Sequence, residues 1–314
     1  MRKTTKKANK NLTAAKKAKN DEFYTQLTDI EKELQHYKKH FKGKTVLCNC
    51  DDPMESGFVK YFALNFEHLG LKKLIATHYK DSKLSPSQPA YKLEYTGDKN
   101  GNSLPDLKEF TVELLDCDGD FRSPECESLL EEADIVVTNP PFSLFREYVD
   151  QLMLFKKKFL VIGNTNAITY KGVFEHIKDG RMHLGCTNFN VGMFFRVPDN
   201  WEKYHHVDED GNKIARVSTS CWFTNLSHSK QKEKLTLFRE YSPELYPKYD
   251  NYDAIEVSKV ALIPKDFEGV MGVPITFLDK FNPEQFEILG ATESEGKGFS
   301  YGLWNEKSGV KQGV

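Results

Sequence analysis

Asp134-Ile135-Val136-Val137-Thr138-Asn139-Pro140-Pro141-Phe142 is the stretch whose reading decides the fold. Ile135 to Val137 are apolar and β-branched with no polar alternation, the mark of a strand buried on both faces. The run stops at Asn139. Neither proline after it can donate to a ladder, so the chain must leave the sheet there. Fully buried strands of this kind belong to parallel sheets sandwiched by helices. The flanking segments agree with that reading. Upstream, Ser123-Pro124 opens a helix to Glu132. Downstream, Ser143 is read as the cap of a helix through Leu154, and Lys158 to Gly163 as another parallel-type strand.

Working outward, Lys44 to Asn49 reads as a buried strand running into the polar loop Cys50-Asp51-Asp52-Pro53. Met54 to Leu69 carries Phe58, Tyr61, Phe62, Phe66 and Leu69 at helical spacing, closed by Gly70. Lys73 to Thr77 is a second strand, and the strand–helix–strand order implies a right-handed parallel crossover. Residues 80–110 look like an insertion with one hairpin, followed by a third strand over Phe110 to Leu115. The alternation predicts an α/β fold with a doubly wound, mostly parallel sheet. Ile214 to Thr224 reads as a last strand, paired with Val191 to Val197. Beyond 225 the alternation fades. A short helix is expected there, with Asn282 as N-cap, Pro283 at N1, Gln285 at N3 and Gly290 after its end. Three regions result: a basic arm over 1–20, a catalytic domain over 21–225, and a smaller C-terminal unit over 226–314.

Composition narrows the functional class. The 314 residues are 39% hydrophobic and 12% aromatic, which excludes wholesale disorder. No apolar run approaches a membrane span, and the N-terminus lacks a signal-peptide core, so a cytoplasmic location is expected. The formal net charge of −2 hides an asymmetry. Arg2, Lys3, Lys6, Lys7, Lys10, Lys16, Lys17 and Lys19 meet no acid before residue 21. A basic arm, disordered when free, on an acidic body points to a polyanion such as DNA, and a solubilising tail is the plainer alternative. The six cysteines contain no C-x-x-C pair and read as reduced core residues. His205-His206 near Asp208 lacks partners at metal-ligand spacing, so no metal is expected.

Asn139 to Phe142 are the candidate catalytic residues. Asn139 can present a side-chain carbonyl and Pro140 a rigidly aimed main-chain carbonyl. Two such acceptors suit an exocyclic amine whose lone pair is delocalised into a nucleobase ring. Phe142 offers a flat face for a base taken out of its stack. A Pro-Pro turn with a core phenylalanine is the plain alternative; the position at the carboxyl end of a buried strand favours a site. In open α/β sheets ligands collect at such ends. The loops Asn49 to Pro53 and Asp116 to Phe121 share that position and are acidic. They suit a sulfonium cation with ribose hydroxyls better than a pyrophosphate. G-x-G-x-x-G and G-x-x-x-x-G-K-[ST] are absent there, which argues against NAD and ATP. Asp51 and Asp52 as helix caps, and Phe121 as a core residue, are the competing structural roles.

Several long blocks carry a resemblance. They are Asp21-Glu22-Phe23-Tyr24-Thr25-Gln26, Cys48-Asn49-Cys50-Asp51-Asp52-Pro53, Gly119-Asp120-Phe121-Arg122-Ser123, Asp134 through Phe145, Tyr246 through Ile255 and Gly269 through Leu278. Over about residues 17 to 290 the chain resembles the EcoRI-type adenine-specific DNA methyltransferases. The resemblance implies a Rossmann-like class I methyltransferase fold, S-adenosylmethionine as methyl donor, N6 of a flipped adenine in duplex DNA as acceptor, and target recognition by the C-terminal region. It implies Asn139, Pro140, Pro141 and Phe142 as the catalytic motif. Tyr24, Thr25, Cys48, Asn49, Asp51, Asp52, Asp120 and Phe121 follow as cofactor contacts, the last two in the loop beside the cofactor adenine. Cys50-Asp51-Asp52-Pro53 departs from the glycine-rich loop of the wider class. Direct transfer needs no cysteine nucleophile. The resemblance also implies a restriction-modification setting, with a companion endonuclease as possible partner, and GAATTC with its inner adenine as the first target to try. A monomer is expected because one methylation event needs one active site. Methyltransferases of RNA bases or glutamine side chains share the tetrapeptide, and a non-catalytic nucleic-acid-binding protein is the alternative from another class.

Overall fold

The computed structural model describes residues 23–80, 89–102, 104–250 and 252–291. In chain order the first elements are β1 (Tyr24–Thr25), α1 (Leu27–Leu34), β2 (Thr45–Cys48), α2 (Gly57–Leu64), α3 (Phe66–Leu69), β3 (Lys73–His78), β4 (Tyr91–Tyr95) and β5 (Thr111–Leu114). Next come α4 (Pro124–Glu132), β6 (Ile135–Thr138), α5 (Phe145–Leu154), β7 (Lys158–Asn164), α6 (Lys171–Lys178) and β8 (His183–Leu184). The rest are strands: β9 (Met193–Val197), β10 (His206–Val207), β11 (Lys213–Val217), β12 (Ser220–Thr224), β13 (Ala254–Glu256) and β14 (Val270–Gly272). Two compact units emerge. One holds the described residues up to Ala167 with Gly185–Leu226, the other Ile168–Leu184 with those from Ser227 onward.

In the first unit seven strands lie in the order β5-β4-β3-β2-β6-β7-β12. The pairs β3–β2, β2–β6 and β6–β7 are parallel. The pairs β5–β4, β4–β3 and β7–β12 are antiparallel. The sheet is therefore mixed, with β4 and β12 running against the other five strands. Part of the supposed insertion, β4, forms a strand between β3 and β5. Because β4 reverses direction and β5 reverses it again, β5 still points the same way as β2, β3, β6 and β7. Its following loop thus leaves from the same edge as theirs.

Local chemistry explains most boundaries. Every residue of β2 and β6 is buried. Ser123 caps α4 by accepting from Cys126 N, with Pro124 at its start. Ser56, not Asp51 or Asp52, caps α2 by accepting from Phe58 N. The helix expected over Met54 to Leu69 begins later and breaks at Asn65, then stops at Gly70 in the left-handed region (φ 62°). Ser143 does not cap α5: Leu144 precedes that helix, and its N–H closes a turn onto the Pro141 carbonyl (2.9 Å). The strand expected over Ile214 to Thr224 is two strands in two sheets. β11 pairs with β9 in a small sheet of order β1-β9-β11-β10, while β12 pairs with β7.

The core of this unit is aromatic. Trp222, Phe58, Phe62, Phe41 and Phe195 are fully buried, with Phe58 edge-on to Trp222 at 6.0 Å and Phe41 edge-on to Phe62 at 5.2 Å. The second unit is more irregular. β13 and β14 pair in parallel, and a smaller core gathers Tyr246, Ile255, Val257, Ile263 and Phe277. The helix expected after Asn282 is a single turn there. Gln285 spends its amide on both backbone groups of Leu235 (2.7 and 2.8 Å) instead of capping. No helix among the described residues is long and apolar enough to cross a membrane.

Candidate active site

The three loops singled out in the sequence leave from one edge of the large sheet. β2 and β6 are neighbours, and the chain order runs outward from them in both directions. Such a reversal opens a crevice between the loops that follow the two strands. Asn49 to Pro53 and Asn139 to Phe142 flank it.

Asn139 follows β6 directly and is 8% exposed. Its Nδ2 donates to the carbonyl of Phe23 at 2.9 Å. A carbonyl can only accept, so this bond fixes which way the amide faces. Oδ1 is buried and has no hydrogen-bond partner among the described residues. The turn after it uses the carbonyl of Pro141 and leaves that of Pro140 outside. Pro140 is buried; Pro141 and Phe142 are half-buried, with Phe142 packed against the main core.

β1 brings Phe23 into place. Tyr24 and Thr25 pair antiparallel with Arg196 and Phe195 of β9, and the Arg196 guanidinium lies 4.9 Å from the Tyr24 ring centre. Thr25 is buried and its hydroxyl lacks a partner among the described residues. Its carbonyl crosses the start of α2 so closely that a Cβ on Gly57 would lie 2.6 Å from it. Only glycine admits that approach.

In the loop after β2, the Asn49 Oδ1 accepts from the Tyr148 hydroxyl of α5 at 2.5 Å. Asp51 accepts from the Ser56 hydroxyl at 3.1 Å. Asp52 takes the Met54 N–H and the Tyr91 hydroxyl on Oδ1, each at 2.9 Å, and faces His78 Nδ1 with Oδ2 at 3.2 Å. Cys48 packs its side chain into the core, where burial pushes the thiol well up. In the loop after β5, Arg122 grips Asp120 at 2.6 Å and holds its carboxyl below the usual range. Phe121 is 6% exposed and packs edge-on against Tyr148 at 5.0 Å. Of the expected cofactor contacts, Asn49, Asp51, Asp52 and Asp120 are thus already hydrogen-bonded within the protein, while Thr25 keeps an unused hydroxyl.

A family model described as adenine-specific methyltransferase EcoRI matches residues 11–312. The chain belongs to the EcoRI-type adenine-specific methyltransferases. It is 52% identical over 291 residues to the type II methyltransferase M.EcoRI of Escherichia coli, covering 90% of this chain and 89% of that one. It is 43% identical over 282 residues to M.MpnI of Mycoplasma pneumoniae, with 88% and 83% covered. M.MgeORF184P of Mycoplasma genitalium is 39% identical over 282 residues, with 88% and 84% covered. No solved structure matches.

For a methyltransferase of this family the pattern of unpaired atoms is informative. Buried polar groups in native structures are nearly always hydrogen-bonded. Yet Thr25 Oγ1, Thr77 Oγ1, His78 Nε2, Thr138 Oγ1, Asn139 Oδ1 and Ser220 Oγ are buried without partners among the described residues, as are Gln151 Oε1, Asn188 Oδ1 and Trp222 Nε1. The first six belong to the strand ends of this edge, or to β1 beside it: Thr77 and His78 close β3, Thr138 closes β6 and Asn139 follows it, and Ser220 lies opposite Asn164 at the end of β7. Sequence reasoning missed Thr77, His78 and Ser220. The available signal was a polar residue at the end of a buried strand.

The basic residues of the arm, Arg2 through Lys19, lie outside the described residues. His205 and His206 are exposed on the small sheet with their Nδ1 atoms 2.9 Å apart. All six cysteines are free thiols.

Proposed function

We propose that this site-specific DNA methyltransferase transfers a methyl group from S-adenosylmethionine to N6 of an adenine extruded from duplex DNA. The observation that carries the reading is the bare, buried Asn139 Oδ1, held in that orientation by Phe23. An unpaired buried carbonyl costs about 1–3 kcal/mol, and an incoming amino group relieves it. In this reading Asn139 Oδ1 and the Pro140 carbonyl accept the two N6 hydrogens, which draws the nitrogen lone pair out of the ring. Phe142 supplies the stacking face, and Pro141 closes the turn that keeps the motif rigid. S-adenosylmethionine, when bound, supplies an electrophilic methyl on a sulfonium.

The residues at the edge fit that donor. Thr25 offers an unused hydroxyl, Asp51 and Asp120 offer negative charge, and the closely packed Gly57 keeps β1 against the loop. We further propose a doubly wound arrangement of the first unit in the class I manner. Target recognition is assigned to residues 226–314, and phosphate contacts to Arg2, Lys3, Lys6, Lys7, Lys10, Lys16, Lys17 and Lys19. The enzyme is read as a cytoplasmic monomer with a companion endonuclease cutting the same site, GAATTC being the first candidate.

Methyl transfer from labelled S-adenosylmethionine tests the reading. A duplex containing GAATTC should be labelled at the inner adenine, and RNA and protein substrates should not. Label on glutamine or RNA, or none on any DNA of mixed sequence, would overturn it.

A further inference from the structure

Cys117 and Cys126 take no part in the catalytic motif, yet their sulfur atoms lie 4.0 Å apart. Cys117 is half-buried in the loop after β5, and Cys126 is 2% exposed in the first turn of α4. Ser123 joins the two. Its hydroxyl donates to Cys117 Sγ at 3.2 Å and accepts from Cys126 N at 3.3 Å. Gly119 N also donates to Cys117 Sγ, at 3.3 Å. The half-buried sulfur of Cys117 is open to small molecules in solvent, whereas Cys126 is shut off from them. Burial pushes the Cys126 thiol up to about 12, so it is inert toward solvent on its own. Held beside Cys117, it needs no collision to react.

A disulfide holds its sulfurs about 2.05 Å apart, so closing this pair shortens the gap by about 2 Å. Closure also takes Cys117 Sγ off its two donors, Ser123 and Gly119. The loop has little slack to absorb the change. At Gly119 it is pressed against β3, where a Cβ would lie 2.3 Å from the His78 carbonyl. Further on, the Phe121 carbonyl accepts from Gln151 Nε2 at 3.0 Å, the Phe121 ring packs on Tyr148, and Arg122 reaches Glu147 at 3.3 Å. Glu147, Tyr148 and Gln151 all belong to α5. The residue that starts α5, Leu144, is tied to the Pro141 carbonyl of the catalytic motif. A pull on Cys117 therefore reaches the helix that carries the motif.

We propose that Cys117 and Cys126 are a redox modification site: a reversible disulfide between them slows methyl transfer by displacing the loop after β5 against α5. The oxidant is a small disulfide of the glutathione class. Cys117, as thiolate, attacks one of its sulfurs; that S–S bond breaks, a mixed disulfide forms and one thiolate leaves. Cys126 gives its proton to solvent, attacks the Cys117 sulfur and expels the second thiolate. The two cysteines lose two electrons, and the small disulfide becomes two thiols. An added dithiol runs the exchange backward.

Incubating the full-length protein with oxidised glutathione, and mapping its disulfide-linked peptides by mass spectrometry, tests the link. The expected product joins residues 117 and 126 and leaves four of the six thiols free. Methyl transfer to duplex DNA of mixed sequence should fall about tenfold or more, since misplacement by an ångström is enough for that. Dithiothreitol should restore it. Cys117→Ser should keep its rate through the same treatment, and Cys126→Ser should stop at a glutathione adduct on residue 117. No link between 117 and 126, or Cys126 joined to Cys50 instead, would overturn the proposal. So would a wild type that forms the link and keeps its rate, or a Cys117→Ser protein that loses rate as the wild type does. Should the variants not fold, a time course of the wild type decides. Rate should fall in step with the linked fraction, and a rate lost before the link appears overturns the proposal.

Discussion

The parallel strands of the large sheet have two ends, and the protein treats them in opposite ways. At the amino end, polar groups are paired. Asp134 accepts from Thr45 N at 2.9 Å and from Lys44 at 3.2 Å. Asn225 accepts from Phe159 N at 2.9 Å and donates to Lys157 O at 2.8 Å. Lys157 caps the carbonyls of Glu131 and Ala133. At the carboxyl end, Thr77, His78 and Asn139 keep buried atoms without a partner among the described residues, beside the hydrogen-bonded Asn49, Asp51 and Asp52. The amino end is closed by pairing within the fold, and the carboxyl end holds both paired and unpaired groups. In the proposed reading, the unpaired groups are the ones held ready for chemistry.

Substitutions should break the two ends differently. The largest effect is expected from Asn139→Ala, about 3 kcal/mol of transition-state stabilisation, or on the order of a hundredfold or more in kcat. Single-turnover methyl transfer measures it, and turnover retained in a folded variant would place Asn139 outside the chemistry. Phe142→Ala should weaken capture of the extruded base by about 2 kcal/mol while sparing cofactor affinity. 2-Aminopurine fluorescence at the target position reports the capture. At the other end, Asn225→Ala strands the Phe159 N–H and should lower folding stability by about 1.5 kcal/mol with methyl transfer intact. Denaturant unfolding checks this; a loss of rate without a loss of stability would blur the contrast.

The smallest effect belongs to Asp134→Asn, below about 1 kcal/mol because the pair is partly exposed. Burial alone would raise the Asp134 carboxyl, but the Thr45 N–H and Lys44 outweigh it and leave it below its ordinary value of 3.8. Its contribution is therefore present above that value and is lost as the pH falls through the lowered one. Unfolding curves of the two proteins should differ at pH 7 and converge in acid.

What was legible in the sequence was what short-range chemistry decides. Ser123-Pro124 starts α4 because the cap and the proline act within one turn, and Ile135 to Thr138 is a strand because nothing polar interrupts it. Long-range pairing was not legible. Nothing between Ile214 and Thr224 announces that the chain changes sheets near Ser218-Thr219. Nothing in Asn282 to Gly290 reveals that Leu235, far back in sequence, captures the Gln285 amide. The motif Asn139 to Phe142 stands out in the sequence because its four residues are contiguous. The contacts of His78 do not, since Asp52 and Tyr91 arrive from two other segments.

The bond from Asn139 to residue 23 ends on main chain, so its consequence differs from that of a side-chain pair. Any amino acid at position 23 presents the same oxygen, so a substitution there acts only through the lost packing of the Phe23 ring on Phe195 and Trp201. Cutting the backbone is another matter. A protease nicking just after Phe23 would free that oxygen to drift away and let the amide swivel, silencing the enzyme without altering a single residue of its signature motif.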